Sequence, residues 1–557
     1  MRKNFIKKLS VATVIAATLL TGCGKGSDVN DNNSKDAGNA SSVSSDSEST
    51  TDGGRSINVG LSADVATLDN NIADVPGDLL VINTMQDSLY GRMADGTVDL
   101  QLAESVDISD DKLTYTFHLR DAKYSNGETI EAEDFVYSWK RLVNPDTGSE
   151  YAWLAGAAGI ANADEIAYAG GDIDTLGVEA VDAKTLVVTL SVETPYFKYI
   201  VATPTFAPID EDFGEAQGDQ YGLSKDNIIS SGPFVVDEWV VGGSEIKLKK
   251  NENYWDADNI QPNALVFQTV ADSQAGVLAY DSGTLDVVEL SGEQLSQYVD
   301  DPALDVQKWP ASNYLYINHT NEYLANKDFR LAINYAVNKD EIVDNILKNG
   351  SIAVDYFIPD DFSPDDNGTP YHQTVSLDYI GYDLDKAAEY WEKAKEELGA
   401  DSFTLEYLYD DREVQKNIAQ YLKSTLESAL PGLELELREV PYSACWDEQK
   451  AGNFDLTVSM WGADYIDPSV FFDILLSDSE YNLGRWNSSE YDAIIADANN
   501  NKSDYTKRFQ IYNDAEQLII DEVGLIPVYQ VSQSSLIRPG IHVPFNSIYL
   551  YRFATFD

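Results

Sequence analysis

The residue types that most often build metal and catalytic sites are scarce in this chain of 557 residues. It contains two cysteines, Cys23 and Cys445, and four histidines. The histidines are isolated and lack the spacing of a metal-binding motif such as His-x-x-x-His. The sequence also lacks a serine-hydrolase elbow, a phosphate-binding glycine loop, a zinc-protease helix and a Cys-x-x-Cys pair. It therefore predicts no metal, no other cofactor and no enzyme active site.

Positive charge is scarce as well. The chain has 38 lysines and arginines against 94 aspartates and glutamates, so its formal net charge is −56. Such a polyanion is not expected to bind nucleic acid or an anionic membrane surface through bulk charge. We expect the acidity to serve mainly as a solvated surface, and the alternative is a field that attracts cations. Hydrophobic residues make up 43% of the chain, so most of it is expected to fold, over more than one hydrophobic core.

Long apolar runs are absent beyond Leu20, so no transmembrane helix is predicted there. Before Leu20, basic residues precede a short apolar stretch that ends in Leu20-Thr21-Gly22-Cys23. This ending resembles the lipobox of bacterial lipoproteins, which implies that residues 1–22 are a signal peptide and that Cys23 carries lipid. An ordinary signal peptide with an incidental cysteine is the alternative. Lipidation of Cys23 would leave Cys445 without a disulfide partner.

The composition changes twice after the apolar stretch. Residues 23–55 are rich in Ser, Asp, Asn and Gly and are predicted to be a flexible tether. From Ser56 onward, hydrophobic residues recur with the periods of strands and helices. Alternation predicts strands at 57–61, 113–119, 186–190, 403–409, 433–437 and 454–460. Helical spacing predicts helices at 78–90, 133–143, 328–338, 385–398 and 414–430. Strands and helices that follow one another in this way predict an α/β fold.

Several short motifs occur in a fixed order along this folded part. They are Ser231-Gly232-Pro233-Phe234 with Trp239, Lys250 to Asp256 (KNENYWD), Tyr280 to Asp286 (YDSGTLD), Asp328 to Lys339 (DFRLAINYAVNK), Gly452 to Asp455 (GNFD), Trp461 to Pro468 (WGADYIDP), and Pro527-Val528-Tyr529. Together they resemble the oligopeptide-binding proteins of ABC importers, extracellular solute-binding protein family 5. The resemblance extends from about Ser56 to Tyr551. The order of the motifs is more specific than any one of them.

The resemblance implies a periplasmic-binding-protein-like fold, with two lobes around a ligand cleft and an inserted extra domain. Lobe I would comprise residues 56–90, 226–315 and 523–557. The inserted domain II would comprise residues 91–225, and lobe III residues 316–522. Ligand would lie between lobes I and III, which close by a hinge.

The resemblance also implies ligand-binding residues. Asp464 occupies the family position that neutralises the α-ammonium of a peptide, and its alternative role is to cap the turn before Pro468. Trp461 and Gly462 would flank the peptide main chain, with core packing and turn geometry as their respective alternatives.

Three tyrosines complete the predicted site. Tyr151 matches a family tyrosine that touches ligand from the inserted domain. Tyr314 and Tyr316 match an aromatic stretch at a hinge crossing. Packing without ligand contact is the alternative for all three. The sequence does not identify the cationic groups that would bind the carboxyl terminus of a peptide.

These features predict a monomeric, lipid-anchored protein on the extracytoplasmic side of the cell membrane. It would capture oligopeptides and deliver them to the permease of an ABC importer. Within transport, the alternative cargo is a metal chelate, an oligosaccharide or a pheromone peptide. A surface enzyme or an adhesin is the alternative from another class.

Overall fold

The computed structural model describes residues 55–365, 368–502 and 504–557. Its strands in chain order are β1 Ser56–Leu61, β2 Tyr90–Arg92, β3 Val98–Leu100, β4 Ala103–Ile108, β5 Thr114–Leu119, β6 Val178–Asp182, β7 Thr185–Thr189, β8 Phe234–Glu238, β9 Glu245–Lys250, β10 Ala264–Thr269, β11 Val287–Glu289, β12 Leu304–Ile317, β13 Ile352–Ala353, β14 Phe403–Asp410, β15 Leu433–Val440, β16 Leu456–Gly462, β17 Ile526–Ile537, β18 Ile541–His542 and β19 Thr555–Phe556.

The α-helices connect these strands and cover their faces. They are α1 Pro76–Met85, α2 Ala132–Val143, α3 Trp153–Ala157, α4 Ala163–Ala169, α5 Phe197–Ile200, α6 Glu211–Gln217, α7 Ser273–Asp281, α8 Gly292–Tyr298, α9 Lys327–Ala336, α10 Lys339–Glu341, α11 Tyr371–Thr374, α12 Leu384–Leu398, α13 Glu413–Ala429, α14 Tyr442–Ala451, α15 Ser469–Phe472, α16 Ser489–Asn500 and α17 Tyr505–Glu522. The predicted strands and helices are present, with bounds that differ by a few residues. None of the helices described is long and apolar enough to cross a membrane.

One mixed sheet of eleven strands runs through the molecule in the order β15-β14-β16-β12-β17-β11-β1-β10-β9-β8, with β13 on β17. The two long strands at its centre, β12 and β17, each belong to both halves. Residues 304–308 of β12 pair with the end of β17 that bonds β11, whereas residues 312–317 pair with β16. The β12–β17 register shifts between Lys308 and Ser312. The sheet therefore divides at residues 309–311 into two halves, which we call the β1 half and the β14 half.

The β14 half is covered by long amphipathic helices. Asn326 caps α9 by accepting a hydrogen bond from the Phe329 amide at 2.9 Å. The apolar face of α9 then packs against α12 and the sheet. The ring of Phe329 lies 4.8 Å from that of Trp391 and 5.2 Å from that of Phe403. This aromatic cluster fixes the helices onto β14, because such edge-to-face pairs add to the free energy of burial.

A separate four-stranded antiparallel sheet, in the order β4-β5-β7-β6, lies within the predicted inserted domain. A capping box between Glu131 and Asp134 starts α2. Trp139 of this helix is buried and donates its indole N–H to the Phe206 carbonyl at 2.9 Å. The buried side chains of the inserted region form one continuous hydrophobic cluster with buried side chains from residues 314–525. The segment bounds predicted for the three domains stay predictions.

Candidate ligand-binding site

A cavity of about 390 Å³ lies where the two halves of the main sheet meet. Its walls come from α1, β2, Tyr151, Leu154 and residues 203–205 of the inserted region, the 309–311 crossing of β12, residues 460–464 at the end of β16, and the loop at residues 547–548. Residues from both halves and from the inserted region therefore surround one space. A cavity between lobes is a common location for a ligand site.

Asp464 reaches this cavity from a loop that is held at several points. The Ala463 amide donates to the Pro310 carbonyl at 2.8 Å, and the Trp461 indole donates to the Val470 carbonyl at 2.8 Å. Asp467 accepts from the Ser469 amide at 3.0 Å and forms an ion pair with Arg508, both of these charged side chains being buried. Asp467, and not Asp464, is therefore the aspartate that caps the turn.

The carboxylate of Asp464 has no hydrogen-bond donor among the described residues and is available to a ligand. It is half-buried and lines the cavity. Burial raises the pKa of Asp464 to about 6, and the nearby guanidinium of Arg92 acts in the opposite direction. A cationic group that enters the cavity would therefore remove the cost of keeping this carboxylate charged.

Trp461 and Gly462 form the wall next to Asp464. Trp461 is half-buried, packs against the core on one side and lines the cavity on the other. Gly462 has no positive φ, and an added Cβ would lie 3.5 Å from the Ala311 Cβ, which is ordinary contact. Turn geometry therefore does not require glycine at position 462. Its missing side chain leaves the main chain open to the cavity.

The end of β16 also has a free edge. Residues 456–462 pair along their whole length with β12, but β14 pairs only with Leu456 and Thr457. Among the described residues, no strand pairs with the other edge of residues 459–462. An extended chain lying along this edge could continue the sheet.

The three predicted tyrosines separate into two groups. Tyr151 lines the cavity, and burial, with Asp464 as the next cause, raises its pKa to about 12. Tyr314 and Tyr316 are 0% and 2% exposed and do not line the cavity. The Tyr314 hydroxyl donates to the Phe357 carbonyl at 2.6 Å. Because alternate residues of β12 share one face, both rings enter the hydrophobic core. Ligand contact by Tyr314 and Tyr316 stays a prediction.

Trp309 and Arg92 also line the cavity and are not among the predicted site residues. Trp309 lies at the β12 crossing and donates its indole N–H to the Ser547 carbonyl at 2.7 Å. Arg92, at the end of β2, donates from Nη1 to the Asn546 carbonyl at 3.3 Å. The pairing of Trp309 and Arg92 with a loop near the other end of the chain leaves no local signal in the sequence.

Comparison with known proteins decides the family. The sequence profile described as bacterial extracellular solute-binding proteins, family 5 Middle, matches residues 97–482. The chain belongs to this family. The family predicted from the ordered motifs is thus confirmed.

Relatives within family 5 extend over most of the chain. A dipeptide-binding protein of Lactococcus lactis subsp. cremoris is 32% identical over 504 residues, which are 87% of this chain and 91% of that protein. The structure of Listeria monocytogenes OppA bound to peptide matches with a TM-score of 0.74 at 31% identity, over 90% of this chain and 99% of that one. The pheromone receptor PrgZ matches with a TM-score of 0.74 at 29% identity, over 90% and 100% of the two chains. These matches confirm the predicted two-lobed fold class.

Proposed function

We propose that this protein captures oligopeptides with a free amino terminus and delivers them to an ABC importer. The observation that carries the proposal is the placement of Asp464. Its carboxylate lines a cavity between the lobes, has no hydrogen-bond donor among the described residues, and follows a strand with a free edge. An α-ammonium at this point would supply the missing donor and a compensating charge.

The free edge at residues 459–462 supports binding through the peptide main chain. A peptide that adds a strand there forms hydrogen bonds that do not depend on its side chains. Asp464 follows two residues after Gly462, so the first residue of such a peptide would lie beside the carboxylate. This arrangement gives affinity for many sequences and requires a charged amino terminus.

The cavity walls support a ligand with apolar side chains. Trp309, Met460, Trp461 and Ile548 all line it, and Met460 is 48% exposed. The volume lies within the range of roughly 300 to 1,000 Å³ that is common for sites of small ligands. Aromatic and thioether groups of this kind adapt to side chains of different shapes.

The names of the relatives support the same class of cargo. The Lactococcus relative is named a dipeptide-binding protein, and the Listeria structure holds a peptide. PrgZ is a pheromone receptor that binds peptide. Each match extends over at least 87% of this chain.

Delivery to an importer requires that the protein stay near the membrane. We infer that the lipobox-like residues 20–23 direct lipidation of Cys23, although both lie outside the described residues. Two acyl chains give stable anchoring where one is marginal. Residues 24–55 would then allow a monomeric binding domain to reach a permease on the extracytoplasmic face.

Native mass spectrometry of the purified protein, followed by denaturation and sequencing of released ligands, tests this function. We expect heterogeneous peptides with free amino termini on the parent and far fewer on the isosteric variant Asp464→Asn. Asp110→Asn is the matched control, because Asp110 is exposed at the turn between β4 and β5 and does not line the cavity. A released sugar or metal chelate would identify a different cargo. Absence of any ligand, with no binding of added peptides, would favour an adhesin.

A further inference from the structure

Arg92 lies in the same cavity as Asp464. It is the one cation among the described residues that line the cavity, and Asp464 is the one anion. No carboxylate oxygen of the described residues lies within 4.0 Å of its guanidinium, the distance that defines an ion pair. Buried arginines elsewhere are paired: Arg508 with Asp467 and Arg552 with Asp87. Arg120 and Arg485 also have no ion-paired carboxylate among the described residues, but their guanidiniums donate to backbone carbonyls and do not line the cavity. What distinguishes Arg92 is its place in the same cavity as Asp464.

The Arg92 side chain is nevertheless held in place. Strand β2 pairs with β3, which sets Arg92 opposite Val98. Its Nη1 donates to the Asn546 carbonyl at 3.3 Å, and the Asn546 side-chain amide donates to the Thr97 carbonyl at 3.4 Å. The contact with Asn546 uses one of the five N–H donors of a guanidinium. No other described residue accepts a hydrogen bond from this side chain, which leaves four donors for a ligand.

The charge of Arg92 is not neutralised by direct contact. Burial lowers the pKa of Arg92. The negative charge of Asp464 raises this pKa, although the two side chains are too far apart to form an ion pair. A planar guanidinium can bind both oxygens of a carboxylate through two parallel hydrogen bonds. A ligand carboxylate that enters the cavity would therefore pair with Arg92 while the ligand ammonium pairs with Asp464.

We propose that Arg92 binds a carboxylate of the ligand, so that the site prefers peptides with an acidic group close to the amino terminus. This proposal rests on the function proposed above and makes it more specific. The carboxylate has two possible sources, namely an acidic side chain in the first residues or the carboxyl terminus of a dipeptide. Both present the same group near Asp464.

Calorimetry with matched peptides tests the proposal and distinguishes the two sources. The parent is titrated with Glu-Ala-Ala and Gln-Ala-Ala, which differ only in the first side chain, and with Ala-Ala and its carboxyl-terminal amide. We expect the parent to bind the acidic member of at least one pair about 10 to 100 times more tightly, the range for a hydrogen-bonded charge pair. Discrimination in the first pair identifies a side-chain carboxylate. Discrimination in the second pair identifies the carboxyl terminus of a dipeptide.

The variant Arg92→Gln should lose this discrimination, because its affinity for the acidic members should fall at least about tenfold further than its affinity for the neutral members. Arg92→Lys keeps the charge without the planar fork and should retain part of the preference. Lys249→Gln controls for the loss of one positive charge, because Lys249 pairs with Asp237 on exposed strands away from the cavity. Melting curves show whether each variant is folded.

Two outcomes would overturn the proposal. Equal affinity of the parent for both members of both pairs would mean that Arg92 meets no ligand carboxylate. An equal loss of affinity for all four peptides in Arg92→Gln would mean that Arg92 only supports the loop at Asn546. Failure of the proposed function looks different, because the parent would then bind none of the four peptides.

Discussion

Replacement of Asp464 by alanine tests whether this carboxylate holds the amino terminus of a peptide. The structure leaves Asp464 half-buried with no hydrogen bond from a described residue, so the ligand ammonium would be its direct partner. Removal of one member of a buried charge pair costs about 3–5 kcal/mol, and the partial exposure of Asp464 favours the lower end. We therefore expect Asp464→Ala to weaken binding of a free peptide about 10² to 10³-fold, since each 1.4 kcal/mol is tenfold.

A double cycle separates this contact from an indirect effect. Calorimetry compares the parent and Asp464→Ala, each with a free peptide and with the same peptide acetylated at its amino terminus. Acetylation alone should weaken binding to the parent by a similar factor. The two changes together should cost little more than either one, because both remove the same contact. Additive losses would refute this reasoning and would mean that the amino terminus is bound elsewhere. Asp110→Asn, at an exposed turn, should behave like the parent.

Three other predictions concern anchoring, motion and pH. Cys23→Ser should release the protein into the medium or block its processing, and membrane fractionation that finds it cleaved and still membrane-bound would contradict lipidation. Binding of a peptide mixture to ligand-free protein should reduce the radius of gyration in small-angle scattering, because contacts on both halves favour the closed state; an unchanged radius with binding confirmed would argue against closure. Burial raises the pKa of Asp464 from 3.8 to about 6, so the folded protein binds this proton more tightly than the unfolded chain and loses stability as the pH rises between these values. Ligand-free Asp464→Asn should accordingly melt at a higher temperature than the parent near pH 8 but not near pH 4, and equal melting temperatures at both pH values would contradict the assigned burial.

The regular parts of the fold could be predicted because their signals are local. Alternation at residues 403–409 and helical spacing at 385–398 correspond to β14 and α12 within one residue at each end. The helix predicted at 78–90 instead ends at Met85. The next residues include Asp87, which is buried and bonded to Arg552 and to the Tyr254 hydroxyl. That termination depends on partners distant in sequence, which periodicity cannot reveal.

The candidate site was predictable only where a motif carries it. Asp464, Trp461 and Gly462 lie in one contiguous stretch that resembles the family, and the structure brings them together on one wall. Arg92 follows an ordinary Leu-Tyr-Gly sequence, and its position depends on β2 pairing and on a carbonyl near the other end of the chain. Tyr314 and Tyr316 lie in a stretch of β12, residues 311–317, in which every residue is buried. Burial on both faces follows from the central position of β12 in the sheet, and that position depends on strand pairing distant in sequence, which periodicity cannot reveal.

The continuous passage of β12 and β17 through both halves of the main sheet limits how this protein can be divided. A fragment that contained only the β14 half would cut β12 and β17 in the middle of their pairing with each other. It would also lack β11, the strand that normally pairs with the other edge of β17. Unprotected edges of this kind template intermolecular pairing. Half-length fragments made for expression or crystallisation should therefore aggregate unless the cut strands are replaced. Insertions and tags belong in exposed turns such as the one at Asp110, where no ladder is interrupted.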